Sequence, residues 1–168
     1  MKLNEILLPE FDNEMRTTRR VLNELSEDFF EYRPHERSWS TKELATHIIR
    51  IPTWVNGTLD LPELDFATAE IPEIEAKDKN ELLQHFDTNV ANARVLIEKA
   101  TNEQMLADWT LRNGDKVFFT MPRMAVLRSM VISHIIHHRA QLGVYLCMND
   151  AKVPASYGDS ADEKNPFS

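Results

Sequence analysis

Ser133-His134-Ile135-Ile136-His137-His138-Arg139-Ala140-Gln141-Leu142 places three imidazoles inside one run of helical periodicity. An α-helix turns about 100° per residue. With His134 set to zero, Leu127, Val131, His138, Gln141 and Tyr145 all fall within about 60° of it. His134 and His138 therefore stand one turn apart on the face that carries the apolar stripe. His137 lies at the edge of that face. The whole segment reads as a last helix, from Pro122, a favourable first-turn residue, to about Met148.

Three more helices are legible ahead of it. The third opens at a capping box, Asp78 to Glu81, and carries Leu83, Phe86, Val90, Ala93, Ile97 and Ala100 on one stripe. The second opens at another capping box, Ser40 to Glu43, followed by Leu44, His47, Ile48 and Ile51 at i, i+3, i+4 and i+7. Pro52 disturbs its last turn, and Asn56-Gly57 reads as its stop. The first runs from about Leu3 to Leu25 with Leu7, Phe11, Met15 or Thr18, Leu22 and Leu25 inward; Pro9 means it starts or bends there. Residues 59–77, with Pro62, Pro72 and the acids Asp60, Glu63, Asp65, Glu70, Glu73 and Glu75, read as a long surface connection. Trp109 to Phe119 reads as a small β-hairpin around Asn113-Gly114.

This pattern predicts an all-α protein, a four-helix bundle. The connection of roughly 20 residues between helices two and three can run back along the bundle, which gives an up-down-down-up order with the hairpin before helix four. A chain of 168 residues suits a single domain over 1–168, with 150–168 as a surface-wrapping tail.

Composition narrows the function. The chain has 19 Lys and Arg against 27 Asp and Glu, a net charge of -8, and no basic run, so a nucleic-acid partner is not expected. No apolar stretch approaches the roughly 20 residues that cross a bilayer, so no membrane partner is expected either. Glu5 follows the N-terminus too closely for a signal peptide, and the single cysteine, Cys147, has no internal disulfide partner. A reducing cytoplasm is the expected location. Four glycines and no phosphate-cradling motif leave out the common nucleotide folds.

The histidines carry the chemistry. His134 and His138 face inward on helix four, and His47 sits inside the stripe of helix two. His85 falls off its stripe toward solvent, and His35 is in a loop. A buried imidazole without a partner costs about 1–3 kcal/mol. A divalent ion would satisfy all three rings at once, leaving positions open for water or substrate. Local hydrogen bonding inside the core is the competing account.

The run from Ser133 to Leu142 resembles the last-helix motif of the DinB/YfiT-like proteins. Arg37-Ser38-Trp39-Ser40 with Glu43 and His47 resembles that superfamily's second-helix segment, and Val153 to Glu163 is similar to its tail. The resemblance implies a bundle with one divalent metal, commonly zinc or nickel, on His47, His134 and His138. It also implies dimers, and relatives that are metal-dependent transferases of low-molecular-weight thiols or a thiol-dependent isomerase. The expected function is then a metal-dependent enzyme that activates a thiol or water for transfer to, or hydrolysis of, a small-molecule substrate. The alternative is a non-catalytic metal- or ligand-binding stress-response protein.

Two further residues are candidate catalytic groups. Glu43 lies one turn before His47 and could act as a base, although its cap role already explains it. Tyr145 follows the ligands on the same face and could direct its hydroxyl at substrate. Gln141 and Arg139 are expected to hold backbone or acids, and Trp39 and Trp54 to line a pocket or fill the core. Cys147 points away from the metal face. Ile132, Ile136, Ala140, Gly143 and Cys147 form a second apolar strip on helix four, covered either by a second subunit, giving a homodimer, or by the hairpin or tail of the same chain.

Overall fold

A computed structural model of the chain describes residues 1–70 and 74–164. Pro72 and Glu73, assigned above to the long connection, and the last four residues of the tail lie outside the described residues.

Helix α1, Leu3–Asn23, begins ahead of Pro9 and buries Leu7, Phe11, Met15, Thr18 and Leu22. Helix α2, Thr41–Arg50, has the complete capping box: Ser40 Oγ accepts from Glu43 N at 3.2 Å, and Ser40 N donates to Glu43 Oε2 at 2.7 Å. Pro52 does not end the helical path. It sits in a tight turn, Ile51–Thr53, that leads into α3, Trp54–Asp60. The expected stop at Asn56-Gly57 is thereby corrected. A helical Gly costs about 1 kcal/mol against Ala, and burial of Val55 and Leu59 from the same short helix outweighs that.

Helix α4, Lys79–Lys99, is capped by Asp78, which accepts from Glu81 N at 2.9 Å. The return bond of the expected box is shifted by one residue: the Glu81 carboxylate accepts from Lys77 N at 2.9 Å. A short helix α5, Asn102–Leu106, follows. The last rod is continuous but not uniform. It comprises α6, Arg123–Val126, a π-helical stretch, Leu127–Ser133, and α7, His134–Met148.

A plain four-helix bundle does not describe this architecture. The connections carry α3 and α5, and the strands β1, Glu63–Asp65, β2, Asp108–Asn113, and β3, Lys116–Pro122, form a mixed three-stranded sheet in the order β1-β2-β3. β2 and β3 form the antiparallel hairpin, turning at Gly114, whose φ of 57° suits glycine. β1 lies parallel to β2 and comes from the acidic connection. Its Glu63 and Asp65 carboxylates meet Arg112 at 2.6 and 3.2 Å, so charges that looked like solvated surface instead hold a strand in register. Trp109, Leu111 and Val126 form a small core under the sheet, and Trp109 Nε1 donates to Gly57 O at 3.1 Å.

Cross-contacts give the relative directions of the long helices. Arg19 meets Asp87 and Arg94 meets Asp12, so α1 and α4 are antiparallel. Glu10 pairs with Arg128 and Glu14 with Arg139, so α1 runs with α7. His47 meets His134 while Trp39 lies against His138, so α2 runs against α7. The tail packs back on α1 and α7. Arg20 donates to Ala155 O and pairs with Glu163, and Val153 lies against Gly143, within the second apolar strip. Among the described residues, no helix is long and apolar enough to cross a membrane.

Candidate metal centre

Leu44, Ile48 and Ile49 anchor α2 in the core, and Ile135, Leu142 and Leu146 anchor α7. Helical phase then brings His47 on one rod opposite His134 and His138 on the other. The Nε2 atoms of His47 and His134 are 3.1 Å apart, and one ligating nitrogen from each of the three rings falls within 4.8 Å of the others. Among the described residues, these three form the only such group of histidine, cysteine and acidic side chains. His137 is exposed, its ring against that of His138 and outside the cluster. His85 is half-buried on α4, and His35 accepts from Arg37 N in its loop.

The tautomers follow from the outer partners. His134 Nδ1 faces Met130 O at 3.3 Å, and a carbonyl only accepts, so Nδ1 carries the proton. His138 Nδ1 faces Gln141 Oε1 at 2.7 Å and carries its proton in the same way. Both neutral rings therefore present the Nε2 lone pair. Burial depresses the His134 pKa, with the Met130 contact opposing; burial likewise depresses that of His138, with Gln141 opposing. His47 is lowered to about 4, by burial first and then by the charges of His138, His134 and Arg50. At neutral pH all three are in the neutral form that ligates.

This donor set fits a divalent cation. Metal–nitrogen bonds near 2.0–2.1 Å in a tetrahedral site place neighbouring ligand nitrogens about 3.3 Å apart, close to the His47–His134 separation. Each clustered histidine on α7 has an outer acceptor that fixes its ring, the arrangement that metal-ligating histidines need. A π-helical stretch ends directly at His134. Such widened turns recur at functional sites because they re-aim the side chains that follow.

His47, alone of the three, lines a cleft of about 550 Å³ together with Trp39, Lys42, Glu43, Thr46, Arg50 and Ile74 to Lys77. Trp39 is not core. It is 47% exposed, its ring 4.9 Å from His47 and stacked at 5.8 Å on His138. Its position directly before the Ser40 cap was the signal for this. Trp54 packs partly buried against the core.

Glu43 lies in the cleft wall, bound to Ser40 N and 2.8 Å from Arg33 Nη1. The Ser40 amide, then Arg33, hold its pKa below the ordinary value. Tyr145 is buried, and its hydroxyl donates to Trp39 O at 3.2 Å. Gln141, expected to hold backbone or an acid, instead orients His138. Arg139 does meet an acid: it is buried with Glu14, away from the cluster, and also donates to the hydroxyl of the exposed Tyr157. Cys147 is exposed and outside the cluster.

Known proteins share this arrangement of elements. A DinB-like protein from Bacillus subtilis is 22% identical, with a TM-score of 0.70 over 89% of this chain and 96% of that one. A DinB-like protein from Bacillus cereus is 19% identical, with a TM-score of 0.70 over 93% and 98%. The mycothiol-dependent maleylpyruvate isomerase is 10% identical, with a TM-score of 0.50 over 90% of this chain and 64% of that one. No curated protein matches the chain. The model of the DinB family matches residues 1–163, nearly the whole sequence, and the chain belongs to that family.

Proposed function

We propose that the chain is a metal-dependent enzyme whose His47, His134 and His138 hold one divalent ion, zinc or nickel, beside a small-molecule cleft. The single observation behind this reading is the convergence of three neutral imidazoles within 4.8 Å of one another, one of them, His47, in a cleft wall. Bound there, the ion supplies Lewis acidity that brings a thiol or water to its nucleophilic form at neutral pH. The reaction class is transfer to, or hydrolysis of, a small molecule. A low-molecular-weight thiol as co-reactant has its precedent in the structural neighbour that is, by its name, mycothiol-dependent.

The chain's own residues divide the remaining work. Gln141 and the Met130 carbonyl hold the α7 rings so that Nε2 faces the centre. Trp39 covers one side of His47 and His138 and narrows the approach of water. Glu43 stays ionised, so it is a weak base, and it contributes a fixed charge to the cleft. Tyr145 acts through the Trp39 carbonyl as a positioning residue. A homodimer through α7 and a cytoplasmic location belong to the same reading. The exposed Ala140, Val144, Cys147 and Met148 would form the seam, and sedimentation equilibrium showing only monomer removes it.

Elemental analysis of the purified protein tests the centre. One equivalent of metal is expected, falling to background in His134→Ala/His138→Ala. Full occupancy in that double variant refutes the proposal. A screen of thiols with small electrophiles, run with and without chelator, then tests catalysis.

A further inference from the structure

We propose that the cleft beside His47 recognises a carboxylate attached to an apolar body, with Lys42 and Lys77 holding the carboxylate and Trp39 the body. The orientation of this ligand rests on the triad being the reacting end; its binding does not require the metal.

The charge distribution carries the argument. The chain is strongly acidic, at -8 overall, yet three cations, Lys42, Arg50 and Lys77, line this one cleft. Two acids share it, and one of them, Glu43, is already claimed by Arg33. Among the described residues, no acid stands within ion-pair distance of the Lys42 or Lys77 amine. A positive cleft in a negative chain concentrates anions locally while the surface at large repels them.

Helix geometry sets the spacing. Lys42, Thr46 and Arg50 succeed one another at four-residue intervals along one edge of α2, and His47 adjoins that edge. A rise of 1.5 Å per residue separates Lys42 from His47 by about 7.5 Å along the axis. A group held at Lys42 and Lys77 thus leaves room for several bonds before the triad is reached. The half-exposed Trp39 ring, with Ile74 and Ala76, supplies the apolar wall. Glu43 and Glu75 in the same wall disfavour a multiply charged phosphate and leave a single carboxylate as the better match. A cleft of about 550 Å³ is of small-molecule size.

The test uses 3-phenylpropionate as probe and its neutral amide as control, with the full-length protein labelled with ¹⁵N. The three tryptophans give three indole N–H signals, and Trp39→Phe assigns the one in the cleft. We expect 3-phenylpropionate to shift the Trp39 signal in both metal-loaded and chelator-treated protein. The apparent affinity should fall about tenfold in Lys42→Gln/Lys77→Gln and fall again in high salt. The amide should give little shift. Equal binding of acid and amide, tighter binding of inorganic phosphate, or unchanged affinity in the double variant overturns the proposal. So does binding that appears only with metal, since the carboxylate would then sit on the ion. A protein that takes up no metal but still binds the acid through the lysines refutes the metal-centre reading alone.

Discussion

Removing one charge from the buried pair between α1 and α7 should be the most damaging polar change in the chain. Glu14 and Arg139 are 5% and 4% exposed at their side chains, with Nη1 to Oε2 at 2.7 Å. Arg139 also donates to Glu14 O at 3.2 Å and to Tyr157 OH at 3.0 Å, and Tyr157 donates to Glu14 Oε2 at 2.7 Å. Glu14→Gln preserves shape and strands a guanidinium without a counter-charge. Breaking a buried pair from one side costs about 3–5 kcal/mol. For a chain of this size, each kcal/mol moves Tm by about 2–4 °C, so the expected loss is roughly 6–20 °C.

The two partners are not equivalent. A guanidinium cannot give up its proton, whereas a stranded carboxylate neutralises itself by taking one up. Arg139→Met should therefore be milder than Glu14→Gln, and its penalty should shrink as the pH is lowered. Glu14→Leu/Arg139→Met replaces the pair with hydrocarbon, which is often neutral or better, and should recover most of the loss. Urea unfolding of the two single variants and the double variant measures the cycle. A Glu14→Gln loss below about 1 kcal/mol, or strict additivity in the double, refutes the account of this pair as a buried, mutually dependent unit.

Gln141→Leu removes the acceptor on His138 Nδ1 and should weaken metal binding about 10–100-fold, read by competition with a chelator; unchanged affinity assigns Gln141 no such role. In the metal-free protein the three histidine pKa values lie below their unfolded values, so the unfolded chain binds more protons. That stability is fully present above the unfolded value near 6.5 and drains away as the pH falls toward about 4 for His47. A urea midpoint that is flat from neutral pH to about pH 5 contradicts this. Tyr145→Phe should lower stability by about 1 kcal/mol through the bond lost to Trp39 O, and should broaden or shift the Trp39 indole signal; a shift confined to Trp54 or Trp109 rules out the positioning role.

The three clustered histidines were legible because they obey helical phase, which is local. His134 and His138 share a face by spacing alone, and His47 shares the stripe of Leu44 and Ile48. That these faces meet is a tertiary fact, settled by the contact between α2 and α7. The sheet was half legible. Asn113-Gly114 announces a hairpin, but three residues, Glu63 to Asp65, give no strand periodicity, and their acids point to solvent until Arg112 is placed beside them. Arg139 gave no sign of burial, because its partners Glu14 and Tyr157 are far off in sequence. Trp39 was ambiguous for a different reason: size favours the core, and only the loop before the Ser40 cap puts the ring at the rim of the cleft.

Without a cation the three rings cannot satisfy one another. His134 and His138 both present lone pairs toward the centre, so at most His47 can donate a proton into it, and to one of them. The remaining lone pair has no donor within the triad. A cation that satisfies all three joins α2 to α7, and at a thousandfold excess over its dissociation constant it adds about 4 kcal/mol of stability. That is comparable to the whole Glu14–Arg139 effect on another side of the same helix. His138 and Arg139 are neighbours about 100° apart on one rod, so a bound cation would give α7 a second tie of similar strength. Only the one on the cleft side depends on what the solution supplies.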